Sequence, residues 1–175
     1  MRIQPAFTYT YPSFNVLLLL LTFSWATPND SIQQDKAELS HLQELVGKWK
    51  GTGLLRRGST RGSWRETSTW AWKFTKDRAS LKFSTPGARF LRKGEIRPGP
   101  VKGQFQLVAE LPNSNAPASY LGARNKEGKL VMNLEAGKSS PPGAPARLTF
   151  SLLVKGKRLV ALYEGQNKDS GRYFR

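Results

Sequence analysis

The sequence predicts an all-β protein, an antiparallel up-and-down barrel of about ten strands with one short N-terminal helix. After residue 47, apolar residues alternate with polar ones over most of the chain, and Gly, Pro, Asn and Asp separate these stretches at short intervals. Strands joined by short turns form a meander, and closure into a barrel removes its exposed edges. A two-sheet sandwich has the same strand statistics, so the sequence leaves that architecture open as the alternative.

The predicted helix covers residues 34–46, where the apolar residues recur at helical spacing. Leu39, Leu42 and Leu45 lie three residues apart and give one apolar stripe. Gly47 follows at the position where helices commonly end. We therefore expect a short helix that packs this stripe against the barrel.

The clearest strand is predicted for residues 63–75, because its two faces differ in composition. The even positions carry Trp64, Glu66, Ser68, Trp70, Trp72 and Phe74, and the odd positions are mostly polar. Residues 89–97 form a weaker predicted strand. Two further strands, at residues 101–111 and 146–154, present Phe105 with Leu107 and Leu148 with Phe150 on their apolar faces. We expect these faces to point inward.

The first 26 residues predict a cleavable secretory signal peptide. Arg2 gives a positive start, an apolar run follows, and Ser24 and Ala26 lie three and one residues before the expected cut. The apolar run is about half of the ~20 residues that span a bilayer, which favours cleavage over a membrane anchor. We therefore expect one domain over residues 27–175, secreted or periplasmic.

The composition is strongly basic and contains no cysteine. The chain has 28 Lys and Arg against 12 Asp and Glu, a formal net charge of +16. Such a domain attracts anions, among them nucleic acid, anionic lipid headgroups and acidic polysaccharide. Because the charges are scattered rather than clustered, a solvated basic exterior explains them equally well. A chain without disulfides that is exported fits a bacterial envelope.

Few residues are available for catalysis or metal binding. The chain has one histidine, His41, and its neighbour Ser40 cannot face it on a helix. The acids are dispersed, and Glu66 and Glu164 are the only pair that suits a two-carboxylate mechanism. We therefore expect neither an enzyme nor a bound cofactor.

The start of the first strand resembles a known superfamily. After a short helix, Gly47 and Trp49 form a Gly-x-Trp motif that resembles the first strand of lipocalins and other calycins. The Trp-rich second strand and the Leu-Tyr-Glu of residues 162–164 look like small lipocalin-like domains of exported bacterial proteins. The resemblance implies that Trp49 closes one end of the barrel, under Arg172 or Arg175 from the last strand.

The chain also departs from members of that superfamily. Secreted animal lipocalins usually carry disulfides, and this chain has no cysteine. Haem-binding barrels of the nitrobindin type ligate iron through a histidine on a late strand, whereas His41 lies in the predicted helix. The resemblance therefore does not extend to histidine-ligated haem.

The function expected from these features is a binding module that holds a small hydrophobic ligand in the barrel. The pocket is expected to open opposite the helix-covered end. Its expected lining is Trp64, Glu66, Trp70, Trp72, Phe105, Leu107, Leu148 and Phe150. Because a buried carboxylate needs a partner, we expect Glu66 to pair with Arg92 or Arg124.

The alternative is a non-catalytic envelope protein with a structural or interaction role. In that case the barrel is filled, and its basic surface binds an anionic polysaccharide or a membrane. Nucleic-acid binding is less favoured, because export separates the protein from nucleic acid. The aromatic residues also lie on the apolar faces, away from the lysines.

Overall fold

The predicted barrel is confirmed by a computed structural model, which describes residues 28–55, 58–135, 141–153, 157–165 and 171–174. The predicted signal peptide lies outside these residues. Within them, no helix combines the length and the apolarity that a membrane crossing requires.

One helix precedes the barrel strands. The helix α1 covers Pro28–Leu39, and a 3-10 helix, Ser40–Leu45, continues it. The strands are β1 (Gly47–Leu54), β2 (Trp64–Phe74), β3 (Ala79–Ser84), β4 (Lys93–Pro98), β5 (Gln104–Glu110), β6 (Ala118–Arg124), β7 (Leu130–Leu134), β8 (Arg147–Leu153), β9 (Arg158–Glu164) and β10 (Gly171–Phe174).

The strands form a meander that closes on itself. Each strand pairs antiparallel with the next, and β1 also pairs with β10, so the architecture is a barrel rather than a sandwich. Over the described residues this closing contact is short, since Gly53 and Leu54 are the residues of β1 paired with β10. By comparison, β1 pairs with β2 over its length from Gly47 to Gly53.

The helix begins earlier than residue 34, the predicted start. Residues 28–38 show little apolar periodicity, and the contacts that hold them come from the barrel. Asp35 accepts hydrogen bonds from the Arg78 side chain (2.7 Å) and from the backbone N–H of Ala79 (2.9 Å), and its side chain is buried. These bonds tie α1 to the turn between β2 and β3. The predicted stripe is confirmed, since Leu39, Leu42 and Leu45 are all buried.

The prediction that the even-numbered residues of β2 point inward is confirmed in the middle of the strand and wrong at its end. Trp70 is 3% exposed, whereas its neighbour Thr69 is exposed. Phe74, predicted to point inward, is 53% exposed and stacks on Trp72 with ring centroids 6.0 Å apart. Phe74 is the last residue of β2, beside α1, where Lys36 lies over its ring. The barrel interior ends before this position.

Side chains from most strands fill the interior. The largest fully buried ones, apart from Leu39 of the helix, are Leu81, Ile96, Leu107, Tyr120, Met132 and Leu148. The weak strand predicted at residues 89–97 is shorter than expected, because β4 begins at Lys93. Phe90 and Leu91 precede it and are buried without strand structure.

One close approach of two strands should be sensitive to a single methyl group. Gly122 lies opposite Met132, and a Cβ atom at Gly122 would lie 2.0 Å from the Val131 carbonyl oxygen and 2.6 Å from the Met132 Cα. Gly122→Ala must push β6 and β7 apart, and such overpacking costs about 1–3 kcal/mol. Urea denaturation should show this loss. Ser119→Ala on the same strand is the control, expected within about 0.5 kcal/mol of wild type. Equal midpoints for both variants would contradict the close approach.

Candidate functional site

The described part of the barrel contains a cavity whose wall combines aromatic and charged residues. Its volume is about 130 Å³. The lining residues are Trp49, Lys50, Gly51, Glu66, Ser68, Trp70, Phe83, Thr85, Phe150, Lys157, Arg158, Leu159, Ala161 and Tyr163. Cavities of about 150 Å³ hold benzene, and sites for drug-sized ligands begin at about 300 Å³. The space therefore suits a molecule about the size of one aromatic ring.

The cavity reaches the surface through the side of the barrel. Lys50 on β1 and Arg158 on β9 line it, although both belong to the outward-facing set of their strands. These two strands flank β10, which pairs with β1 only at Gly53 and Leu54 among the described residues. The mouth thus lies between β1 and β9 rather than at the end opposite the helix, where the sequence analysis expected the opening.

Trp70 forms the aromatic floor of the cavity. Its ring stacks on Phe83 with centroids 4.7 Å apart and meets Phe150 edge-on at 5.6 Å. All three side chains are buried and line the cavity. The indole Nε1 of Trp70 is buried and has no hydrogen-bond partner in the described part of the chain. Buried polar groups are normally paired, so this N–H is an exception among the described residues, and its accessible surface of less than 1 Å² shows that it does not face the open space of the cavity.

Glu66 brings a carboxylate into the same cavity. Its Oε1 accepts hydrogen bonds from the Trp64 indole N–H (2.5 Å) and from the backbone N–H of Arg89 (2.9 Å). Burial raises the pKa of Glu66, and these two hydrogen bonds oppose the rise. Both bonds end on Oε1, so Oε2 is the oxygen that faces no described donor.

The expected partners of Glu66 were wrong. Arg92 instead pairs with Glu110 at 2.9 Å, and the Arg124 Nε donates to the Gly128 carbonyl oxygen at 3.0 Å. An indole and a backbone N–H therefore donate to Glu66, and among the described residues no arginine side chain does so. Sequence patterns could not identify these donors, because Arg89 lies in an irregular segment that only the folded chain brings to β2.

Trp64 supports this arrangement from outside the cavity. Its ring meets Phe90 edge-on with centroids 5.7 Å apart, and the Arg89 guanidinium lies 5.0 Å from the ring centroid. The indole ring is thus held from two sides while its N–H is bound to Glu66. Trp64 positions the carboxylate and does not itself line the cavity.

The other predicted lining residues lie elsewhere. Trp72 donates its indole N–H to the Gln43 side chain, at the helix-covered end. Phe105, Leu107 and Leu148 are buried in the filled part of the core and do not line the cavity. Of the eight predicted residues, the cavity therefore brings together Glu66, Trp70 and Phe150.

Trp49 lies at the helix-covered end of the barrel and also lines the cavity, whereas the sequence analysis placed the pocket at the opposite end. Its indole N–H donates to the Leu45 carbonyl oxygen at 2.8 Å, which ties β1 to the end of the 3-10 helix. Trp49 also lines the cavity. Gly47, with φ of +140°, makes the turn between the two elements in a conformation that favours glycine. The side chains of Arg172 and Arg175 lie outside the described residues.

The cavity also includes residues that the sequence analysis did not select. Phe83 and Thr85 follow the alternation of β3, and Leu159, Ala161 and Tyr163 follow that of β9. The alternation of each strand predicts that these residues point inward, but it does not predict the barrel closure that places β9 and β1 on either side of β10. Burial raises the pKa of Tyr163, and the nearby Glu66 adds to that rise, so Tyr163 stays protonated at neutral pH.

The described residues hold no group of three or more His, Cys, Asp or Glu that could bind a metal ion. The sequence matches no protein-family model and no curated protein. What the cavity offers a bound molecule is the aromatic surface of Trp70, Phe83 and Phe150, with the carboxylate of Glu66 in the same wall.

The raised pKa of Glu66 should appear in the pH dependence of stability. Because the folded-state pKa lies above the ordinary 4.5, the unfolded chain ionises first as the pH rises. The wild type therefore loses stability as the pH rises from 4.5 through the folded-state pKa. Glu66→Gln removes this loss, so its stability relative to wild type should increase over that range. Chemical denaturation between pH 4 and pH 7 measures the difference.

Glu127→Gln is the matched control for this pH experiment. Lys129 lowers the pKa of Glu127, so the stability that this pair contributes disappears only as the pH falls below 4.5. The Glu127 variant should therefore show no change over the range in which Glu66→Gln does. A Glu66→Gln difference that stays flat or decreases as the pH rises would contradict the burial of the carboxylate.

Proposed function

We propose that this protein is an extracytoplasmic binding module of lipocalin-like type that holds a small apolar ligand in the side cavity of its barrel. The closed meander, the helix at one end and the Gly-x-Trp at residues 47–49 support the lipocalin-like assignment. The predicted signal peptide supports a site of action outside the cytoplasm. The size of the cavity limits the ligand to about one aromatic ring with a small substituent.

The observation that carries this proposal is the aromatic wall of the cavity. Trp70 stacks on Phe83 and meets Phe150 edge-on, so three buried rings border the open space. These rings supply the flat surfaces on which an aromatic ligand packs.

A neutral aromatic alcohol tests the proposal directly. Benzyl alcohol offers a ring for the aromatic floor and carries no charge. Trp70→Phe replaces the indole by a smaller ring and removes roughly 40 Å² of apolar contact, so binding measured by calorimetry should weaken about five-fold, equivalent to about 1 kcal/mol. Without ligand, the variant should lose about 1–2 kcal/mol of stability, because the smaller ring leaves a larger cavity.

Trp72→Phe is the control for this experiment, because Trp72 lies outside the cavity and its N–H bonds to Gln43. It should lose stability without losing affinity for benzyl alcohol. No detectable binding of benzyl alcohol to the wild type, or an equal loss of affinity in both variants, would contradict the proposed function.

A second candidate function is supported by the outer face of the barrel. The outward residues of β1–β4 include an excess of cations: Lys48, Lys50, Arg65, Lys73, Lys82, Lys93 and Arg97. Among them, Lys73 and Arg97 share Glu95, while Lys93 lies 3.6 Å from Glu110 on β5. An anionic envelope polysaccharide is the partner that such a polar, basic surface favours.

A salt series tests this second candidate. The protein should co-sediment with an acidic polysaccharide at low ionic strength and be released as salt is added, because exposed charges are screened. Lys48→Gln with Lys82→Gln should lower the salt at which release occurs. Lys102→Gln with Lys126→Gln, at the helix-covered end, is the charge-matched control. Binding that persists in high salt, or capture only by anionic vesicles, would contradict a polysaccharide-binding surface.

A further inference from the structure

The mouth of the cavity carries a cluster of positive charge that no acid of the described residues compensates. Lys50 lies on the β1 side, and Lys157 and Arg158 lie on the β9 side. None of the three forms an ion pair with a described residue, whereas Arg147 on neighbouring β8 lies 3.8 Å from Glu164. Three cations that pair with no described acid generate a positive potential at the place where a ligand enters.

The interior of the cavity is different in character from its mouth. Its floor is aromatic, and its one carboxylate, Glu66, is already held by two N–H donors. The deep part thus favours an uncharged ring, and the rim favours an anionic group. The two parts are adjacent in the same space of about 130 Å³, so one small molecule can reach both.

From this arrangement, we infer that the cavity binds a small aromatic carboxylate, with its ring on Trp70 and its carboxylate at the mouth formed by Lys50, Lys157 and Arg158. The inference rests on the proposed function, because it assigns a ligand class to the same cavity. Arginine and lysine form charge-assisted hydrogen bonds to carboxylates, which are stronger than bonds between neutral groups. Lys50 and Lys157 are exposed and Arg158 is half-buried, which limits each charge to a modest contribution.

Three ligands that differ only in their polar group separate the contributions. Phenylacetate carries an anion, benzyl alcohol is neutral and phenethylamine carries a cation. Calorimetry with the full-length mature protein at neutral pH should give the affinity order phenylacetate, benzyl alcohol, phenethylamine. The preference for phenylacetate over the alcohol should decrease with added salt, because rim charges are screened by ions.

The variant Lys157→Gln with Arg158→Gln removes one exposed and one half-buried rim charge. It should weaken phenylacetate binding about ten-fold, since each such charge contributes up to about five-fold. It should leave benzyl alcohol binding unchanged. Lys82→Gln with Lys93→Gln removes the same number of charges from the outer face of β3 and β4, away from the cavity lining. This control should leave both affinities close to those of the wild type.

The outcomes distinguish the inference from the proposed function. If benzyl alcohol binds and phenylacetate binds no tighter, the carboxylate inference fails while the proposed function stands. If none of the three ligands binds, both fail. Tighter binding of phenethylamine would overturn the inference and indicate that Glu66 selects the ligand. Equal losses in the rim variant and the control would overturn it too, since the net charge of the protein, and not the mouth, would then explain the preference.

Discussion

The arrangement of the interior depends on the packing of Trp70 between Phe83 and Phe150. The two contacts join β2 to the neighbouring β3 and to β8, which lies across the barrel. Burial of such a ring stabilises the fold by about 3–5 kcal/mol, which exceeds the cost of about 1–3 kcal/mol for its unpaired N–H. The barrel therefore tolerates the unpaired donor. Because the ring occupies the middle, the remaining space lies beside it, as a side cavity and not as a central lumen.

The carboxylate of Glu66 depends on a second aromatic group. Trp64 donates to it while the Arg89 guanidinium and Phe90 hold the Trp64 ring. An acid in an aromatic environment is costly unless its oxygens receive hydrogen bonds, and here an indole and a backbone amide supply them without adding a charge. Glu66 receives its hydrogen bonds from these two groups and from no arginine side chain among the described residues. The described residues that line the cavity floor therefore include one acid and no cation that balances it.

The distribution of charge follows from the two-residue period of the strands. On β1 and β3, the lysines share one parity and the apolar or small residues share the other, so barrel closure sends Lys48, Lys50 and Lys82 outward together. Charge is compensated unevenly on that surface. Glu95 forms ion pairs with Lys73 and Arg97. Burial alone would raise the pKa of Glu95, but the hydrogen bonds from these two cations lower it to about 2. The mouth of the cavity receives no such acid from the described residues.

The sequence by itself determined the fold class, the strand order and the inward parity of the strand centres, because alternation and short turns are local properties of the chain. It identified Glu66, Trp70 and Phe150, whose parity alone places them inside. Only the tertiary structure decided which inward residues border open space and which, such as Leu107 and Leu148, are packed solid. That difference depends on which strands lie across the barrel from each other, and on how little of β1 is paired with β10. The residue pattern of a single strand predicts neither the facing strands nor the extent of the β1–β10 pairing, because both depend on contacts between segments that are distant in the sequence.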